Sequence, residues 1–162
     1  MPNVRRVGVA RRRITLQQME RSVRRALQQL LAEEAFLLAA DVAERAIAAK
    51  LGEYLAVLFP DHKVDVEYNR HGLDVKIVNL PPCCRGGGRR RIFPDIIIHQ
   101  RGHDNANLLV IQIKKDTNQE PRDCDRAIIR AMKRYFRYRR GLLIDLPTGE
   151  GAGESQPTLE WF

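Results

Sequence analysis

The sequence predicts an α/β domain in which a central mixed β-sheet is flanked by helices. Three observations carry this expectation. The hydrophobic period switches from helical to alternating near residue 60, two consecutive apolar runs follow, and a further helical stretch leads into a last short apolar run. Strands that are apolar at nearly every position are covered on both faces, which places helices on each side of the sheet.

Taken in order, residues 1–13 form a basic arm. A helix starts near Thr15, because Thr15 and Gln18 have capping-box spacing and Leu16, Met19, Val23, Leu27, Leu30 and Leu31 recur at helical intervals. A second helix spans 41–59, with Val42, Ala46, Ile47, Leu51, Tyr54, Leu55 and Leu58 on one face and Pro60 after its end. Residues 63–69 alternate as a strand, 74–78 read as an edge-like strand, and 85–91, with three glycines, read as a flexible basic loop. The apolar runs 92–99 and 108–113 are buried strands. A helix over 123–138 turns Ala127, Ile128, Ala131, Met132 and Tyr135 inward, Gly141 ends it, and 142–146 is a buried strand. The domain is thus expected to cover 14–146, with a loop and a possible edge strand in 147–162.

A chain of 162 residues fits one domain, and 44% hydrophobic with 30% charged residues is a globular balance rather than a disordered one. The net charge is +8, and 22 of the 28 cations are arginine, whose planar fork matches phosphate oxygens. DNA or RNA is the partner this favours; a codon bias toward arginine is the competing explanation. No stretch of 18 apolar residues is free of charge, so no membrane span is expected. The start of the chain lacks the apolar core of a secretory signal. Cys83, Cys84 and Cys124 are odd in number and form no C-x-x-C pair, so neither a disulfide nor a zinc site is expected, and a cytoplasmic location is.

Chemistry concentrates on the two apolar runs. Asp95 opens the first, and Gln112 and Lys114, two apart, project from one face of the second. If the register brings the strands level, the three side chains meet. Either they form an Asp–Lys ion pair between strands or they hold an ion. Mg²⁺ (or Mn²⁺) suits the second reading: Asp95 supplies a charged ligand, the Gln112 side-chain oxygen and the Ile113 carbonyl supply neutral ones, and Lys114 orients the attacking water and offsets charge on a phosphate. Two Arg-dense segments, containing Arg89, Arg90 and Arg91 and then Arg137, Arg139 and Arg140, are candidate nucleic-acid contacts, with Tyr135, Phe136 and Tyr138 interleaved in the second.

Pro94-Asp95, sixteen residues, then Gln112-Ile113-Lys114, on two consecutive strands between helices, resembles the PD-(D/E)XK nuclease superfamily over roughly residues 41–146. The resemblance implies a restriction endonuclease-like core (helix, three strands, helix, strand) carrying an extra N-terminal helix. It implies metal-dependent hydrolysis of phosphodiester bonds, usually in DNA, with Asp95 as central ligand and Lys114 as catalytic lysine. Gln112 stands where an acid is usual, which removes a negative charge from the site. An acid from the first core helix is also implied; Glu44 is the best match and Glu53 the reserve, while Asp41 and Glu44 alternatively have the spacing of a helix cap. In the similarly placed Glu67-Tyr68-Asn69-Arg70 cluster, Glu67 is a further candidate ligand, and Asn69 and Arg70 are candidates to hold phosphate. A nuclease-fold protein that binds nucleic acid without efficient catalysis, and a basic module that docks an acidic protein, are the alternative functions. A homodimer through the apolar stripe of the first helix is a further expectation, with packing of that stripe on the sheet as its alternative.

Overall fold

The computed structural model describes residues 13–162. The basic arm expected over 1–13 lies, Arg13 apart, outside the described residues. Helix α1 (Leu16–Glu33) begins as its capping box dictates: Thr15 Oγ1 accepts from the Gln18 N–H at 3.2 Å, and Gln18 Oε1 accepts from the Thr15 N–H at 2.8 Å. Its stripe of Met19, Val23, Ala26, Leu27 and Leu30 is buried in the same core as α3 (Glu44–Leu58) and the sheet. Of the two expectations for this stripe, packing inside the domain is the one observed. Leu30→Ala would cost roughly 2–5 kcal/mol. A short α2 (Ala35–Ala39) links the two helices.

The sheet has five strands in the order β1-β6-β7-β8-β9: β1 (Lys63–Val66), β6 (Ile96–His99), β7 (Leu109–Lys115), β8 (Arg140–Leu146) and β9 (Thr158–Trp161). β6 and β7 are antiparallel, β7 and β8 run parallel with α4 (Asp123–Phe136) as the crossover, and the remaining pairs are antiparallel. The sheet is therefore mixed, as expected. Ile96, Ile98, Leu109, Ile111 and Ile113 face α1 and α3. Ile97, Val110 and Leu143 face α4, so both sides are covered.

Three expectations shift. The segment 85–91 is only partly a loop: β5 (Gly88–Arg91) pairs with β4 (Ile77–Leu80) in a two-stranded ribbon outside the main sheet. The residues between them supply the turn, and the edge-like strand expected over 74–78 divides between this ribbon and a small pair of β2 (Arg70–His71) with β3 (Asp74–Val75). Helix α4 turns Ala131 and Met132 inward as expected, with Ala127 and Ile128 partly buried against the same core, but Asp125, Ile129 and Phe136 are buried as well and Tyr135 is 49% exposed. Arg137, with φ +57°, ends that helix, and Gly141 instead lies within β8, where an added Cβ would stand 2.1 Å from Ile129 Cγ2. Only glycine lets α4 pack this closely on the strand.

Cys84 and Cys124 form a disulfide with a Cα–Cα separation of 4.9 Å, and Cys83 is free and exposed. The expectation of no disulfide is thereby overturned, because the fold brings together two cysteines 40 residues apart, and the cysteine-based case for a reducing compartment goes with it. No described helix is long and apolar enough to cross a membrane.

Candidate active site

Asp95 sits at the bend between Pro94 and β6, where its carbonyl accepts from the Glu67 N–H at 3.1 Å and extends the β1–β6 pairing by one step. In the β6–β7 register Ile96 pairs with Ile111, so Asp95 falls level with Gln112. Ile97 and Val110 belong to the α4-side core, and side chains two apart share a face. Asp95, Gln112 and Lys114 therefore point the same way, toward the start of α4. Asp95 Oδ2 accepts from the Ile113 N–H at 2.7 Å. Ile113 thus meets Asp95 through its N–H.

Lys114 is the hub of the site. Its Nζ lies 3.7 Å from Asp125 Oδ1, 3.8 Å from Glu120 Oε2 and 4.0 Å from Glu44 Oε2. Glu44 reaches it from the first turn of α3, and its other oxygen accepts from the Lys115 N–H and from Asn118 Nδ2, each at 3.2 Å. The cap alternative for Glu44 fails: the N-cap is Ala43, without a side-chain hydrogen bond, and Asp41 instead pairs with Lys115 at 3.0 Å. Glu53 pairs with Lys50 and takes no part in the site.

Three carboxylates thus surround one ammonium, with Asp95 on the same face of the paired strands. The electrostatic result is visible at Asp95, whose carboxyl is pushed up to about 7. Burial is the main cause, the Ile113 N–H opposes it, Glu44 and Asp125 push further upward and Lys114 pulls back. Asp125, 7% exposed, is also raised, by burial first and by Glu44, against the pull of Lys114. Gln112 is buried and its Nε2 has no hydrogen-bond partner among the described residues. A half-turn of the amide exchanges that nitrogen for the oxygen, which then aims an unpaired acceptor into an acid-rich site. The donor set of carboxylates and an amide oxygen fits a hard divalent cation. As the side chains stand, no three His, Cys, Asp or Glu among the described residues are arrayed about one point that would hold an ion. Lys114 itself stands among three of the carboxylates.

Asp125 and Glu120 were absent from the sequence-derived site. Asp125 carried a signal, since a carboxylate interrupts the buried stripe of α4. Glu120 lies in the preceding loop and carried none. Beside Lys114 and Asp125 opens a cleft of about 560 Å³, lined also by Cys83, Cys84, Arg85, Pro121 and Ile128.

The remaining candidates scatter. Glu67 is held by Arg45, with Oε2 2.6 Å from Nη2 and Oε1 accepting from Nε at 2.9 Å, and makes no contact with Lys114. Arg139 donates to the Ile14 carbonyl at 3.0 Å and Arg140 opens β8 opposite Leu109, five residues before Lys114 on β7. That separates the Arg137, Arg139 and Arg140 group from the site by about 17 Å along the strand. Asn69 and Arg70 belong to a second polar cluster, where the Asn69 carbonyl accepts from the Lys76 N–H and the Arg70 carbonyl accepts from Lys76 Nζ. Lys76 is buried beneath the Tyr68 ring at 4.8 Å, and burial pushes its ammonium down to about 8. His99 Nε2 lies 2.7 Å from Asp65 Oδ2 in the same cluster. Burial works to raise the Asp65 carboxyl, but hydrogen bonds from His99 and Arg101 outweigh it and hold the group below its ordinary range. Arg89 and Arg91 are exposed, while Arg90 turns back to the carbonyls of Gly87 and Arg85.

No family model, curated protein or solved structure matches this chain.

Proposed function

We propose that the protein is a divalent-metal-dependent phosphodiesterase acting on DNA, with a restriction endonuclease-like core. The observation that carries this reading is the convergence of Asp95, Gln112 and Lys114 on one face of two adjoining strands, with Glu44 arriving from α3. Asp95, the Gln112 amide oxygen and Glu44 would hold the ion, which when bound lowers the pKa of a water and polarises a phosphoryl oxygen. The chain does the rest. The Ile113 N–H fixes one oxygen of Asp95 and leaves the other to bind. The Lys115 N–H and Asn118 fix Glu44 in the same manner. Lys114, poised among three carboxylates, orients the water and balances negative charge as the phosphorus–oxygen bond to the leaving strand breaks.

The neutral Gln112 favours one second reading, a nuclease-fold protein that binds DNA and hydrolyses it poorly. Incubation of supercoiled plasmid with Mg²⁺ or Mn²⁺ separates the two. Nicking that requires the metal and is lost in Asp95→Ala supports the hydrolase. Salt-dependent binding of the plasmid with no nicking supports the binding protein.

A further inference from the structure

The β4–β5 ribbon is the part of the fold that the site itself leaves unexplained. Its inner face carries Val78 and Leu80, both buried against α4. Its outer face carries two cross-strand pairs, Ile77 with Arg91 and Asn79 with Arg89, and all four side chains are exposed. Neither Arg89 nor Arg91 has an ion pair among the described residues, and residues 75–94 contain five cations and no acid. A bare arginine surface on a two-stranded ribbon is complementary to a polyanion.

The ribbon is also fixed relative to the cleft. Its connecting loop supplies Cys83, Cys84 and Arg85 to the lining of the cleft that Lys114 and Asp125 share, and the Cys84–Cys124 disulfide ties that loop to α4. Arg90 closes the loop from within by donating to the Gly87 carbonyl at 3.1 Å and to the Arg85 carbonyl. At its other end β5 runs directly into Phe93-Pro94-Asp95.

We infer that this ribbon docks in the major groove of duplex DNA, with Arg89, Arg91 and Asn79 toward the base edges, and so sets which phosphodiester enters the cleft. The inference rests on the hydrolase reading and adds the form of its substrate. A B-form major groove about 12 Å wide admits a two-stranded ribbon, whereas the deep, narrow major groove of duplex RNA does not. Arginine forks pair with guanine O6 and N7, and asparagine pairs with adenine N6 and N7. The ribbon strands, four residues each, are about 13 Å long, which matches the groove width.

Binding measured by fluorescence anisotropy in EDTA tests this apart from catalysis. The probes are a 20-base-pair DNA duplex, the RNA duplex of the same sequence, and the DNA duplex methylated at guanine N7. The native protein is expected to bind the DNA duplex at least tenfold more tightly than the RNA duplex and to lose affinity on N7 methylation. Arg89→Ala/Arg91→Ala is expected to lose at least tenfold on DNA with an unchanged melting temperature. Arg89→Lys/Arg91→Lys, which keeps the charge without the fork, is expected to retain phosphate-driven binding and lose the sensitivity to N7 methylation. Equal affinity for both duplexes, indifference to N7 methylation, or native-like DNA binding by the alanine variant would overturn the groove assignment. Plasmid nicking by the native protein alongside any of those results would leave the hydrolase standing; groove binding without nicking would do the reverse.

Discussion

Lys114 Nζ and Asp125 Oδ1 stand 3.7 Å apart where the end of a central strand meets the first turn of α4. The contact joins a residue of the β6–β7 motif to one that lies outside it. Asp125 touches the site through Lys114 and serves as a positioning residue.

Asp125→Ala removes that partner without touching Asp95. Activity is expected to fall by about 10–100-fold, the usual loss for a group that orients a ligand or catalytic side chain. Steady-state cleavage rates check this, and Asp125→Glu is expected to recover part of the loss. An unchanged rate in Asp125→Ala would mean that Lys114 is positioned by Glu44 and Glu120 alone.

The proton held by Asp95 makes stability depend on pH. Its ordinary value is 3.8, and burial first, then Glu44 and Asp125, raise it to about 7 in the folded chain. Folding therefore takes up a proton between these values, so the contribution is full below about pH 4 and is lost as pH rises through about 7. Metal-free native protein is expected to lose urea stability from pH 5 to 8, by at most about 3 kcal/mol from this group. Asp95→Asn, which cannot ionise, is expected to lack that component. Parallel pH profiles for the two proteins would contradict the assignment.

The Cys84–Cys124 bond closes a loop of 40 residues. Loop-closure entropy of that length is worth about 4 kcal/mol. Cys84→Ser is expected to lower the thermal midpoint under non-reducing conditions, and reductant is expected to lower the native midpoint but leave the variant's unchanged. A native midpoint insensitive to reductant would show that the bond adds nothing to stability.

The paired strands were legible because parity alone places Gln112 and Lys114 on one face; what sequence could not supply was the register that brings Asp95 level with them, which the pairing of Ile96 with Ile111 provides. The α1 cap was legible because both of its partners lie three residues apart. Asp125 was missed because the inward face of α4 was traced through its apolar residues alone, Ala127 to Tyr135, and the buried stripe begins on a carboxylate. The ribbon was missed because three consecutive arginines and a run of glycines mask the alternation of β5. Pairing of cysteines across 40 residues leaves no local signal at all. Arg139 reads as a nucleic-acid contact in one dimension, yet its guanidinium holds the entry to α1.

Gln112 tests the charge balance from the other direction. Its buried, unpaired amide stands beside Asp95, and Gln112→Glu places a second carboxylate there. In metal-free solution the variant is expected to be less stable at pH 8 than the native chain. Mg²⁺ should reverse that loss and bind about tenfold more tightly than to the native protein. Melting curves with and without the ion report both effects.

The most direct test of the account is calorimetric titration of Mn²⁺ into metal-free protein, native against Asp95→Ala. The account predicts a saturable isotherm for the native chain that disappears in the variant. No heat from the native protein, or identical isotherms from both, would contradict a cation site at Asp95.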